Sequence, residues 1–169
     1  MIWRPGRRAS GDIQNPKALR VSLPPCRHWE VLKACFFCNN IYWVCAAGST
    51  YFNIINEDIL GSIEYACGVA GSKAILVLGH TKCGAVTSAC KGVELGNITA
   101  LLSKVKPAIA NVQERDGNVE IEEVTKANVH QSIKEIREKS SILADLESDG
   151  KINIVGAVYH VEDGQVSFL

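Results

Sequence analysis

Residues 74–84 read Ala74-Ile75-Leu76-Val77-Leu78-Gly79-His80-Thr81-Lys82-Cys83-Gly84. The run of five apolar residues is typical of a strand that is buried on both faces, as in a parallel sheet covered by helices. Ligands of such sheets bind beyond the carboxyl ends of the strands. The stretch therefore predicts an α/β fold, with His80 and Cys83 at the edge of the sheet where ligands bind.

His80 and Cys83 are a candidate pair of zinc ligands. Imidazole nitrogen and thiolate sulfur both suit zinc, and a gap of two residues lets a tight turn aim both at one ion. The pattern alone is weak evidence, because short motifs often match by chance and a buried Cys commonly acts as a small apolar residue. Its position after a buried strand strengthens the metal interpretation, and we predict that His80 and Cys83 bind Zn²⁺.

Several further segments extend the pattern along the chain. They are Asn53 to Ala66, Ile75 to Val86, Gly92 to Asn97, Ile154 to Tyr159, Asp163-Gly164 and Val166 to Leu169. Over roughly residues 53–169 the chain resembles the β class of carbonic anhydrases. The resemblance implies a single α/β domain with a mostly parallel sheet flanked by helices. It also implies a cytoplasmic zinc lyase (carbonate dehydratase) that interconverts carbon dioxide and bicarbonate, as a homodimer or higher homo-oligomer.

The resemblance also implies a set of zinc ligands, two Cys and one His, with water in the fourth position. His80 and Cys83 match two of the three. The third opens a Cys-x-Asp-Ser-Arg motif in the family, and this sequence contains no such motif. Counting back from His80 places the missing Cys near position 27, where Cys26 is a neighbour in spacing but not in context.

The acidic residue of that motif is also missing. No Asp lies between Asp12 and Asp58, so only Glu30 could substitute, with a different reach. The third thiolate is left open among four residues: Cys26, Cys35, Cys38 and Cys45.

The first 52 residues differ in composition from the remainder. They carry 7 Lys and Arg against 2 Asp and Glu, a balance of +5, whereas residues 53–169 carry 11 against 16, a balance of −5. We therefore divide the chain into an atypical segment, residues 1–52, and a β-carbonic anhydrase-like domain, residues 53–169. Whether the first segment folds is left open by the sequence. A shifted reading frame or an alternative exon would explain it, and translation of the coding DNA in the other two frames tests this.

Two interpretations of function remain. One is a zinc-dependent carbonic anhydrase, and the other is an inactive relative or a structural zinc module, in which Cys35 and Cys38 would join His80 and Cys83. An odd number of cysteines, seven, without a secretory signal indicates a reducing compartment. The apolar stretch around residues 34–47 is too short to span a membrane, and the basic first segment lacks a nucleic-acid-binding motif.

The remaining elements follow from periodicity and capping residues. Asn56 is expected to cap a helix that stops at Gly71, and Asn97 to cap a helix that runs through Ile109 with a kink at Pro107. Further helices are predicted over residues 84–91, 120–139 and 141–150, and strands over residues 42–47, 152–159 and 166–169.

Overall fold

A computed structural model describes residues 54–169 and the backbone of residues 41–45. Its strands are β1 (Ile41–Cys45), β2 (Ala74–His80), β3 (Asn153–Tyr159) and β4 (Val166–Phe168). Its α-helices are α1 (Glu57–Glu64), α2 (Gly84–Cys90), α3 (Gly96–Ser103), α4 (Lys106–Asp116), α5 (Ile121–Lys139) and α6 (Ser141–Ser148). No helix in this part of the chain is long and apolar enough to cross a membrane.

The four strands form one sheet in the order β1-β2-β3-β4. The pairs β1-β2 and β2-β3 are parallel, and β4 is antiparallel to β3. The predicted α/β fold with a mostly parallel sheet is therefore confirmed. The strand expected over residues 42–47 is present as β1, as far as residue 45; residues 46 and 47 lie outside the described chain.

Strand β2 is buried on both faces, as its apolar sequence predicts. Ile75 and Val77 belong to a core cluster that also contains residues of α5, whereas Leu76 and Leu78 belong to a second cluster with β3 and β4. All four side chains are at most 3 % exposed. Successive side chains of β2 thus pack into apolar clusters on opposite faces of the sheet. This is why the strand is apolar throughout until its carboxyl end.

Helix α5 lies very close to the sheet at two glycines. A Cβ atom added to Gly79 would lie 2.9 Å from Cγ2 of Val129, and one added to Gly156 would lie 2.9 Å from Cγ1 of the same residue. Val129 is therefore seated between the two strands. Only glycine permits this approach, which brings α5 down onto the carboxyl-terminal half of β2.

The predicted start of α1 is confirmed. The Asn56 side chain accepts a hydrogen bond of 2.9 Å from the backbone N–H of Ile59, and the acidic residues Glu57 and Asp58 occupy the first turn. The helix continues into a π-helical turn, Tyr65–Val69, that the sequence did not predict. The chain then leaves the helix with Gly71 at a φ of 78°, as expected for a glycine stop.

The prediction of one kinked helix capped by Asn97 is wrong. Two helices are present, and the first has Leu95 rather than Asn97 at its N-cap, where the Leu95 N–H donates to Oγ1 of Thr99 at 2.8 Å. The second begins at Lys106, so Pro107 lies in its first turn. A proline there lacks only an N–H group that the helix leaves unpaired, so it begins a helix instead of bending one.

The carboxyl-terminal half follows the predicted pattern closely. Helix α5 covers the expected range, with Val124 and Ile133 buried and Glu135 accepting from Nζ of Lys139 at 2.6 Å. Ser140 caps α6 by accepting from the Leu143 N–H at 3.2 Å. The strands predicted over residues 152–159 and 166–169 are confirmed as β3 and β4.

Candidate metal centre

A four-residue turn at the end of β2 carries the predicted ligand pair. The strand ends at His80, and Cys83 is the N-cap residue of α2. Between them Lys82 has a φ of 54°, the one positive φ found for a residue other than glycine in the described chain. This reversal places the two side chains close together, so that each shifts the pKa of the other. The structure therefore brings together the two residues that the sequence singled out.

The His80 ring is held by the next residue of the turn, Thr81. Nδ1 lies 2.9 Å from the carbonyl oxygen of Thr81, and a carbonyl oxygen can only accept, so we assign the proton to Nδ1. Nε2 is then the nitrogen available to a metal ion. The neighbouring Cys83 side chain raises the pKa of His80 above its ordinary value, although burial acts in the opposite direction.

Cys83 is buried, with only 3 % of its surface exposed. Burial raises the pKa of its thiol, but the neighbouring His80 side chain and the backbone N–H groups of Val86 and Ala85 outweigh burial, so the net pKa is lowered. The first turn of α2 thus favours the thiolate, because the N-terminus of a helix stabilises negative charge. The thiolate is the form of cysteine that binds metal ions.

Hydrogen bonds and an ion pair join this turn to the loop after β3. Thr81 Oγ1 donates to Oε2 of Glu162 at 2.8 Å and accepts from the Val161 N–H at 3.0 Å. Nζ of Lys82 lies 2.8 Å from Oε1 of Glu162. The hydrogen bond from Lys82, followed by that from Thr81, lowers the pKa of Glu162 to about 2. The sequence offered no signal for Glu162, since it is 80 residues from the turn.

Tyr159 lies beside His80 in the sheet. The two residues are partners in the parallel register of β2 and β3, and the Tyr159 carbonyl accepts from the Thr81 N–H at 2.9 Å. Tyr159 is 2 % exposed, and its hydroxyl has no hydrogen-bond partner within the described chain. A buried polar atom thus lies on the strand next to the ligand pair, which the sequence did not indicate.

Other candidate donors in the described residues lie elsewhere. His130 is exposed, and Nε2 of His160 lies 2.9 Å from Oγ of Ser167, so neither ring is part of the turn. Cys67 packs in the core with a pKa raised to about 11, mainly by burial, and Cys90 is partly buried against the apolar cluster that contains Val86 and Val112.

The donor chemistry of His80 and Cys83 fits zinc, because a neutral imidazole with a fixed tautomer and a thiolate are both preferred ligands. Two donors do not complete a catalytic site, which needs three. Within residues 54–169, no group of three or more His, Cys, Asp or Glu side chains is placed to hold a metal ion. The predicted candidate Cys26, and also Cys35 and Cys38, lie outside the described residues.

Comparison with known proteins places this turn in a family. A family model described as carbonic anhydrase matches residues 36–166, which is more than half of the chain. Carbonic anhydrase 2 of Mycobacterium tuberculosis is 31% identical over 118 residues, covering 67% of this chain and 56% of that protein. The carbonic anhydrase of Mycolicibacterium smegmatis is 30% identical over 119 residues, covering 68% and 57%. The chain thus spans a little over half the length of these curated relatives.

Solved structures share the fold. A tetrameric β-carbonic anhydrase from Sordaria macrospora has a TM-score of 0.61 at 20% identity, covering 69% of this chain and 62% of that one. The β-carbonic anhydrase CafA of Aspergillus fumigatus has a TM-score of 0.61 at 19% identity, covering 77% and 74%. With the matched family model and the parallel sheet that ends in His80 and Cys83, these likenesses identify the chain as a member of the β-carbonic anhydrase family.

Proposed function

We propose that this protein catalyses the reversible hydration of carbon dioxide to bicarbonate with a zinc ion held by His80 and Cys83. The observation that carries the proposal is that a single turn at the carboxyl end of β2 holds both His80 and Cys83, in a chain of this family. Parallel sheets bind their ligands at this edge. The lowered pKa of Cys83 favours the thiolate that zinc requires.

In this proposal the residues of the chain hold and orient the metal site. Nε2 of His80 and Sγ of Cys83 would bind zinc, while the Thr81 carbonyl fixes the ring through Nδ1. Bound zinc supplies a Lewis acid that makes hydroxide available from water near neutral pH. The backbone N–H groups of Val86 and Ala85 stabilise the thiolate charge. Burial of Cys83 keeps competing water away from its sulfur.

A third donor completes the proposed site, and we propose Cys45 for it. Cys45 ends β1, and its Cα is the partner of the Leu78 Cα in the parallel register, two residues before His80. Neighbouring parallel strands end at the same edge of a sheet, so the backbone of Cys45 is close to the ligand turn. Cys26, the candidate from sequence spacing, is the competing donor.

Stopped-flow measurement of carbon dioxide hydration on protein of known zinc content tests the activity. We expect hydration by the wild-type protein and its loss in Cys83→Ala. Cys90→Ala is a matched control, because Cys90 is a partly buried thiol that is not part of the pair. Equal rates in wild type and Cys83→Ala would contradict the proposed site. Carbonyl sulfide and carbon disulfide are measured alongside, since a shared fold does not fix the substrate.

A second candidate function is an inactive family member or a structural zinc module. It is favoured by the missing Cys-x-Asp-Ser-Arg motif and by the absence of a third donor among the side chains described for residues 54–169. Zinc content separates the two candidates. Folded protein with one tightly bound zinc per chain and no hydration would support the structural module, and folded protein without zinc would support the inactive relative.

We also propose a homo-oligomer in the cytoplasm. Large apolar side chains are exposed on the surface: Val69 is 71 % exposed, Leu95 65 % and Tyr65 61 %. Such residues are common where copies of a chain meet. The described cysteines are all free thiols, as expected in a reducing compartment. Light scattering of the purified protein tests the oligomeric state.

A further inference from the structure

We infer that Thr81 and Glu162 are positioning residues that hold the carbonyl of Thr81 against Nδ1 of His80. The inference rests on the proposed zinc function, in which His80 needs a free Nε2. Thr81 lies inside the turn between the two ligands, and Glu162 lies on the loop after β3. The two residues are far apart in the sequence, and the fold brings them into hydrogen-bond contact.

Thr81 uses each of its polar groups. Its N–H donates to the Tyr159 carbonyl at 2.9 Å, its carbonyl accepts from Nδ1 of His80 at 2.9 Å, and its hydroxyl both donates to Glu162 and accepts from the Val161 N–H. Only 5 % of Thr81 is exposed. A buried threonine with four contacts has one orientation, so the direction of its carbonyl is fixed.

Glu162 contacts both central residues of the turn, Thr81 and Lys82. One carboxylate oxygen accepts from the Thr81 hydroxyl and the other pairs with Nζ of Lys82, both at 2.8 Å. Lys82 is the residue with the positive φ, a conformation that a side chain of this size rarely adopts. Glu162 therefore ties down both central residues of the turn whose ends are the two ligands.

The consequence concerns the tautomer of His80. Metal-binding histidines commonly donate their second ring N–H to a carbonyl or carboxylate, which fixes the ring and the nitrogen that binds. Here that acceptor is the Thr81 carbonyl, and its direction depends on the Thr81 hydroxyl and on Glu162. Loss of such a supporting contact typically weakens metal binding by about 10–100-fold.

Zinc affinity, measured on the full chain by competition with a chelator, tests the inference. Thr81→Val keeps the shape and removes the hydroxyl, and Glu162→Gln removes the charge. Thr81→Ser restores the hydroxyl, so it serves as the rescue variant. Glu147→Gln is the matched control for Glu162→Gln, because Glu147 also pairs with a basic residue, Arg137, at 2.7 Å but on another part of the surface.

We expect the zinc dissociation constant to rise about 10–100-fold in Thr81→Val and Glu162→Gln and to stay near that of wild type in Thr81→Ser and Glu147→Gln. Wild-type affinity in both Thr81→Val and Glu162→Gln would overturn the inference. Glu162→Gln remains informative if Thr81→Val does not fold, because Glu162 is 45 % exposed.

A second measurement separates this inference from the proposed function. If the wild-type protein binds no zinc, the proposed function fails, and the inference is then tested on the metal-free protein by nitrogen-15 NMR of the His80 ring. A protected Nδ1–H signal in wild type and Thr81→Ser that is lost in Thr81→Val supports the positioning role. The same signal in all three proteins refutes it.

Discussion

Replacing Gly156 with alanine tests how closely α5 lies against the sheet. The new Cβ would lie 2.9 Å from Cγ1 of Val129 and 3.0 Å from Cδ1 of Ile133. Val129 is fully buried, and a branched side chain on a helix has little rotamer freedom, so the methyl group cannot move without displacing its neighbours. Overpacking of this kind lowers the free energy of unfolding by about 1–3 kcal/mol. At this chain length each kcal/mol lowers Tm by about 2–4 °C.

Urea unfolding followed by circular dichroism measures the change. Gly61→Ala is the matched control, because Gly61 lies within α1 with nothing within 4 Å of an added Cβ, and we expect it to gain about 0.5–1 kcal/mol. Val129→Ala removes the clashing methyl groups, so Gly156→Ala in that background should cost clearly less than it does in wild type. A Gly156→Ala protein that is as stable as wild type, or an equal cost in both backgrounds, would refute the close packing of α5.

Three further predictions concern the site and α1. Cys45→Ser is expected to lower the zinc content measured by plasma emission, whereas Cys26→Ser should leave it unchanged; the reverse result would assign the third donor to Cys26. Because the pKa of Glu162 is depressed to about 2, its link to Lys82 contributes stability above the ordinary value of 4.5, and this stability is lost as the pH falls towards 2. The urea midpoints of wild type and Glu162→Gln should therefore differ at neutral pH and converge near that acid limit. Asn56→Ala removes the cap of α1 and should cost about 0.5–2 kcal/mol in urea unfolding, and an unchanged midpoint would contradict the cap.

Much of the fold could be predicted because its signals are local. The apolar run of β2, the period of α5 and the cap at Asn56 each lie within a few residues, and each element appears where it was expected. The wrong prediction that Asn97 caps a helix also came from a local signal. Asparagine is a good cap in general, but the preceding Leu95 occupies that position, and its N–H is satisfied by the side chain of Thr99 instead. A preference of one residue type cannot decide between two neighbouring starts.

In the site too, local features could be predicted from the sequence and long-range contacts could not. The pairing of His80 with Cys83 could be predicted because both lie in one turn, and their spacing limits the geometry. The roles of Glu162 and Tyr159 could not, because both reach the turn only after β3 pairs with β2. The register of two strands depends on packing over the whole sheet, which no short motif encodes.

The contacts around the turn also explain why the missing motif does not by itself decide the function. The turn at the end of β2 is supported by β3, by the loop after it and by the first turn of α2, all within the part of the chain that matches the family. The described contacts of His80 and Cys83 thus come from parts of the chain other than the missing motif, and a pre-formed pair of ligands needs one further donor. Under the proposed function, activity is expected to depend on one further donor at this edge of the sheet, and Cys45 is the cysteine whose backbone lies in the neighbouring strand.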